Sequence, residues 1–187
     1  MKADRLIELD LDALTPKMLQ VNLFLLVAFA AAYHFFVSPL AYSFSWIGIL
    51  YFIAGYIILI AIHEFFHLFG FVVFGKVPIR SLRFGVNLAL GIAYATTERP
   101  LRNRAIRKAL LLPFWMTAAL PTVLGVWLQD QVLVLLGAML AAGAYGDFVM
   151  WQALRKEPDA VWVLDDPELP RLHLFDELPG KYKEGGP

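Results

Sequence analysis

Residues 46–74 read WIGILYFIAGYIILIAIHEFFHLFGFVVF, and apart from His63, Glu64 and His67 every residue in the run is apolar, aromatic or glycine. A helix rises about 1.5 Å per residue and a bilayer core is about 30 Å thick, so roughly 17–25 such residues cross it. The run is long enough to span, and it places three ionisable side chains within one helical turn of each other inside an apolar segment.

Three more stretches meet the same requirement, roughly Met18–Val37, Leu110–Leu128 and Gln131–Ala153. Thr15 followed by Pro16 reads as an N-cap with proline at the first helical position, and Pro39 lies past the end of the same helix. Ala28-Phe29-Ala30 looks like a signal-peptidase site, but the flank before it carries Asp4, Glu8, Asp10 and Asp12, where a signal peptide is basic and short. The composition agrees with a membrane protein. Of 187 residues 59% are hydrophobic and 17% charged, with a mean hydropathy of +0.62, against about 45–50% and 25% in soluble domains. Zero net charge argues against nucleic-acid binding. The absence of cysteine leaves histidine and carboxylate as the side chains able to hold a metal.

The sixteen Lys and Arg fall as three before the first span, eight between spans two and three, and five in the C-terminal tail. Ser38–Ser45 and the turn at Gln129–Asp130 have none. By the positive-inside rule both termini and the long middle loop are cytoplasmic. The expected fold class is an all-α polytopic membrane protein of about four transmembrane helices, with a small cytoplasmic β-hairpin insertion between helices two and three. Residues 1–156 form the transmembrane domain and 157–187 a cytoplasmic tail.

Within the four spans the acids are Glu64 and Asp147. An ionisable group at that depth is costly and marks a functional site. His63-Glu64-Phe65-Phe66-His67 is the H-E-x-x-H pattern on a helix. Histidines four residues apart share one face and reach one cation, and the glutamate beside the first is placed to act as general base on water. A catalytic zinc takes three protein ligands and keeps a position open. Asp147 is the candidate third ligand, because its depth in span four differs from that of the histidines by about 6 Å, or one helical turn. Gly137, Ala138, Ala141, Ala142, Gly143, Ala144 and Gly146 precede it and permit close helix approach. Two histidines and a carboxylate suit zinc, and non-haem iron uses a similar set. The competing reading of Asp147 pairs it with an interfacial arginine such as Arg155.

With His63-Glu64-Phe65-Phe66-His67 on a long second span and Gly146-Asp147 on the last, the chain resembles the bacterial zincin-type membrane peptidase family, related to the site-2 protease clan of intramembrane zinc endopeptidases. The resemblance covers roughly Trp46 to Ala153. It implies His63, His67 and Asp147 as zinc ligands, Glu64 as general base, and a place in the bacterial plasma membrane. Site-2 proteases carry an Asn-x-x-Pro stretch before an Asp-Gly pair; here the order is Gly146-Asp147 and no asparagine precedes it in that span.

The middle loop has a different period. From Leu82 to Ala95 alternate residues are large and apolar, which argues for strand, with Gly85 or Gly91 marking a bend or turn in a β-loop of about residues 79–97. Such a strand edge can capture an extended peptide or membrane-protein substrate by β-augmentation, or simply pack on the membrane surface. Arg102, Arg104, Arg107 and Lys108, on an amphipathic lead into span three, suit anionic lipid headgroups. Pro121 should kink that span or be accommodated there by neighbouring helices. In the tail, the apolar island Ala160–Leu164 predicts one short strand before a loosely ordered end, and His173 reads as an exposed, inert histidine. His34 reads as an interfacial residue at the outer end of span one.

These features point to a membrane-embedded zinc metallopeptidase acting near the cytoplasmic side. The alternatives from other classes are a non-catalytic metal-binding scaffold with a partner on the β-loop, and a transporter using His63, Glu64 and Asp147 as a relay. The absence of evident inverted repeats weakens the transporter.

Overall fold

The computed structural model describes residues 3–41, 45–87, 92–166, 169 and 171–182. Strand β1 (Arg5–Glu8) leads into helices α1 (Leu11–Phe36) and α2 (Trp46–Gly75). A hairpin of β2 (Leu82–Asn87) and β3 (Ile92–Thr97) follows, then the two-residue strand β4 (Leu101–Arg102) and α3 (Asn103–Pro113). A π-helical turn at Phe114–Ala119 joins α3 to α4 (Leu120–Leu128). The chain continues through α5 (Gln131–Gly143), α6 (Tyr145–Leu154), β5 (Trp162–Asp165) and β6 (Arg171–Phe175). Asp12–Phe36, Trp46–Gly75 and Asn103–Leu128 are long and apolar enough to cross a membrane, and the broken pair α5 and α6 makes a fourth if counted as one span.

Two compact units divide the chain. The first holds Leu11–His63 and Pro113–Gly146 and is helical. In it α1 and α4 pack along α5. Gly137 lets α5 come close to α4, since a Cβ there would lie 2.8 Å from the Ala118 carbonyl oxygen. Gln129, at φ 55°, ends α4 in the left-handed conformation, and Asp130 caps α5 by accepting hydrogen bonds from Val132 N and Leu133 N. The tight turn expected at Gln129–Asp130 is therefore a built one. Helix α1 begins a turn earlier than the Thr15–Pro16 start anticipated, with Pro16 inside it. At the sixth helical position the proline removes one backbone hydrogen bond, the one its nitrogen would donate to residue 12. His34 Nδ1 accepts from Leu40 N just past the end of α1.

The second unit holds Met1–Asp10, Glu64–Leu112 and Asp147–Pro187. Its core gathers Phe71, Leu101, Ile106, Ala109, Leu154, Val163 and Leu174 from the end of α2, from β4 and α3, from α6 and from one face of a sheet. That sheet is antiparallel, in the order β1-β6-β5-β4. It corrects the expectation of an all-α chain with a single hairpin: the chain is mostly helical but carries two small sheets among the described residues, one pairing Arg5–Glu8 with β6. Leu172 and Leu174 are buried at alternate positions of β6, so the end expected to be loosely ordered carries a second strand and, at Gly180–Tyr182, a helical turn. His173 is half-buried, with Nε2 3.0 Å from Asp166 Oδ2, rather than exposed.

The hairpin follows the alternation read from the sequence, with Leu82 opposite Thr97 and Gly85 opposite Tyr94. Gly85 is no turn. It seats the Tyr94 ring, which any Cβ there would strike. Gly91, the other turn candidate, lies outside the described residues.

Asn103, at the start of α3 and fully buried, turns its amide nitrogen to the carbonyls of Leu154, Glu157 and Pro158 at 2.9, 2.9 and 3.1 Å. Three acceptors on one side fix the orientation of the amide. Asn103→Leu is expected to lower unfolding stability by about 3 kcal/mol, since it strands buried carbonyls. Asn103→Asp should do no better, because a carboxylate has nothing to donate. Thermal unfolding of both variants in detergent checks this.

Candidate metal centre

His63 and His67 lie one turn apart on α2, and both are buried. Asp147 stands in the first turn of α6. That turn exists because the fourth apolar stretch is broken at Ala144 rather than running straight to Ala153 as expected. A carboxylate at a helix N-terminus is favoured by the macrodipole.

His67 Nε2 lies 3.4 Å from Asp147 Oδ1. With His63 included, each of the three offers a ligand atom, all within 4.8 Å of one another. Arg155, the competing partner for Asp147, is instead held over the Trp151 ring at 4.8 Å.

The other nitrogen of each imidazole is engaged by a fixed group. His67 Nδ1 lies 3.2 Å from the Ala109 carbonyl oxygen. A carbonyl only accepts, so Nδ1 carries a proton, and in the neutral ring the lone pair is on Nε2. His63 Nδ1 lies 3.2 Å from Thr117 Oγ1, whose own proton goes to the Pro113 carbonyl at 2.8 Å. Thr117 must therefore accept from His63, and in the neutral ring the lone pair is again on Nε2. Second hydrogen bonds of this kind orient metal-binding histidines in general.

Local sequence explains both arrangements. Gly70 allows α3 to approach α2 so closely that a Cβ on it would lie 2.8 Å from Ala109 Cα, and this contact brings the Ala109 carbonyl to His67. Thr117 sits in the π turn, where Leu120 N reaches back to the Trp115 carbonyl. The expected irregularity of span three thus falls just before Pro121 rather than at it. Phe71 stacks on His67 at 6.5 Å between ring centroids. Glu64 is half-buried, and its charge acts on His67.

A family model described as "Putative zincin peptidase" matches residues 56–162. The chain belongs to that family. No curated protein and no solved structure matches it. For a zincin family member the donor set is the relevant test, and two imidazole nitrogens with one carboxylate, no thiolate and both Nε2 atoms orientated fit a zinc ion that keeps one position open.

Thr117 and the Ala109 carbonyl escaped the sequence reading. Thr117 was a polar residue in an apolar span, whereas a backbone carbonyl leaves no trace in composition. Asp165, at the end of β5, was also missed. Burial pushes its carboxyl up to about 7; the Thr96 hydroxyl and the charge of His67 pull it the other way, and Asp166 adds to the rise.

Thr117→Val is expected to weaken zinc affinity about 10–100-fold while the fold is kept, measured by competition with a chromogenic chelator. The raised Asp165 carboxyl keeps a proton in the folded chain, between about pH 4 and 7, that the unfolded chain releases. Its contribution to stability is therefore full at acid pH and lost as pH rises through about 7. The unfolding midpoint of the metal-free native protein should fall between pH 5 and 8 by more than that of Asp165→Asn.

Proposed function

We propose that this protein is a membrane-embedded zinc metallopeptidase of the H-E-x-x-H type that hydrolyses peptide bonds near the cytoplasmic side of the bacterial plasma membrane. The observation that carries the reading is the grouping of His63, His67 and Asp147 with Glu64 on the same turn of α2, in a chain of the zincin family. The likeness to site-2 proteases and the lysine and arginine distribution support the membrane location, with four spans and both termini cytoplasmic.

His63 and His67 would hold the metal through Nε2, and Asp147 would hold it through a carboxylate oxygen. Bound zinc would supply a Lewis acid that polarises the peptide carbonyl and acidifies water. Glu64 takes the proton from the attacking water and returns it to the leaving amine nitrogen. Thr117 and the Ala109 carbonyl keep the imidazoles in one tautomer, so the ligand set needs no rearrangement as the substrate arrives. The β2–β3 hairpin pairs only with itself among the described residues. Its outer edge can therefore receive an extended substrate by main-chain hydrogen bonds, which supports docking on the β-loop.

Elemental analysis of the purified protein in detergent should find about one zinc per chain. Glu64→Gln should retain it, whereas His67→Ala and Asp147→Ala should lose or weaken it. On a casein-derived peptide mixture, Glu64→Gln should reduce hydrolysis about 10²–10⁴-fold. Zinc retained with no hydrolysis by the native chain would turn the reading to a metal-binding scaffold. No zinc after refilling would sink both.

A further inference from the structure

Between α3 and the end of α6 lies a cavity of about 270 Å³ whose walls carry four cations. Arg104, Arg107, Lys108 and Leu111 recur at helical spacing and so share one face of α3. Trp151 and, one turn on, Arg155 line it from α6 and the residue after it. Arg107 is paired with Asp159, an acid on the same wall. Arg104, Lys108 and Arg155 have no carboxylate partner among the described residues. Lys108 stands over the Phe74 ring at 5.6 Å and Arg155 over the Trp151 ring at 4.8 Å, and an aromatic face attracts a cation without neutralising it. Three like charges gathered in one place repel each other, and an anion among them relieves the repulsion.

The frame that carries these charges is fixed. Asn103 donates to the carbonyls of Leu154, Glu157 and Pro158, and Arg104 N donates to the Asp159 carbonyl at 3.3 Å. The two walls are therefore tied together at one end, and the cations stand ready at a set spacing before any ligand arrives. Arg102, which the sequence groups with them, is not part of the cavity. Its guanidinium lies over the Trp162 ring at 3.9 Å and donates to the Ala160 carbonyl. Arg155 takes its place, contributed from a segment about fifty residues further on.

We infer that this cavity binds the headgroup phosphate of an anionic glycerophospholipid, held by Arg104, Lys108 and Arg155. A lipid is favoured by where the cavity lies and by what else lines it. It occupies the first turns of Asn103–Leu128, a helix long and apolar enough to cross a membrane. Leu111 and the Trp151 ring supply apolar surface beside the cations, and tryptophan is a residue type enriched where headgroups meet hydrocarbon. A phosphate seated among the cations leaves its acyl chains to follow the apolar part of the span, and basic pockets between spans on the cytoplasmic side hold lipid headgroups in this way. A choline headgroup carries the same phosphate but brings a cation that the pocket repels. The inference goes beyond the peptidase reading. It rests on the membrane location alone and stands whether or not Glu64 acts on water.

The test counts bound lipid. The full chain in a neutral detergent is titrated with dioctanoyl-phosphatidylglycerol or dioctanoyl-phosphatidylcholine and followed by native mass spectrometry. Phosphatidylglycerol should bind at least about ten-fold tighter than phosphatidylcholine. Arg104→Gln with Arg155→Gln should weaken phosphatidylglycerol about 25-fold and bring the two lipids together. Arg80→Gln with Lys181→Gln removes the same charge elsewhere and should change binding by less than about two-fold. All four positions are exposed, so the fold is kept. Equal binding of the two lipids, or no binding of either, overturns the inference. So does an equal loss in both double variants, which would mean diffuse attraction to the whole basic surface. Displacement of the lipid by inorganic phosphate or by a Glu-rich peptide at concentrations comparable to its own would assign the cavity to a free anion or an acidic segment and overturn it as well. Alkaline carbonate washing of membranes separates the two readings. A chain that stays in the washed membrane but shows no lipid preference removes the inference and keeps the membrane location, whereas a chain released by the wash removes both.

Discussion

The hydrogen bond from His67 Nδ1 to the Ala109 carbonyl is the interaction on which the site depends. A helix in an apolar environment cannot leave an imidazole undirected, because each of its nitrogens must find a partner or pay for its absence. Here the partner is main chain, which neither rotates nor ionises. It is reachable because Gly70 removes the side chain that would hold α3 away. A close helix approach, a fixed tautomer and a lone pair on Nε2 therefore follow from one missing methyl group.

His63 is served differently. Its partner is a hydroxyl, which can donate or accept, so a second bond is needed to settle the direction. The Pro113 carbonyl provides it by taking the Thr117 proton. Both Pro113 and Thr117 belong to the junction where α3 passes through the π turn. π turns recur at functional positions because the extra residue per turn redirects side chains that a regular α-helix would space differently. The break before α6 works in the same way for Asp147, since it converts the middle of an apolar stretch into a helix N-terminus. Each irregularity in the backbone carries one polar group of the site.

This explains what could be read from the sequence and what could not. His63, Glu64, His67 and Asp147 were visible because charge in an apolar run stands out by composition alone. The β2–β3 pairing was visible because a period of two is local. The Thr117 bond, the Ala109 carbonyl and the break at Ala144 were not, because each depends on how separate segments meet. The sheet was half legible. The island at Ala160–Leu164 announced β5, but β1 and β6 pair across most of the chain, Leu6 with His173. Nothing within a short window of either strand names the other. Arg171-Leu172-His173-Leu174-Phe175 does alternate, but the surrounding prolines and charges masked it.

Helix α3 has a role that no single residue reveals. Near its start, Asn103 binds the carbonyls at the end of α6 and just beyond it, Leu154, Glu157 and Pro158. Near its end, Ala109 binds His67. One rigid helix of eleven residues thus sets the positions of two candidate ligands carried by different elements, His67 directly and Asp147 through the far end of the helix that bears it. A metal site needs its ligands held within about 0.5 Å, and a ten-residue helix anchored at one end alone would not meet that tolerance. Because Asn103 also abuts β4, and β4 pairs with β5, the same helix is tied to the sheet that closes this unit. The sheet is therefore part of how the acid is positioned.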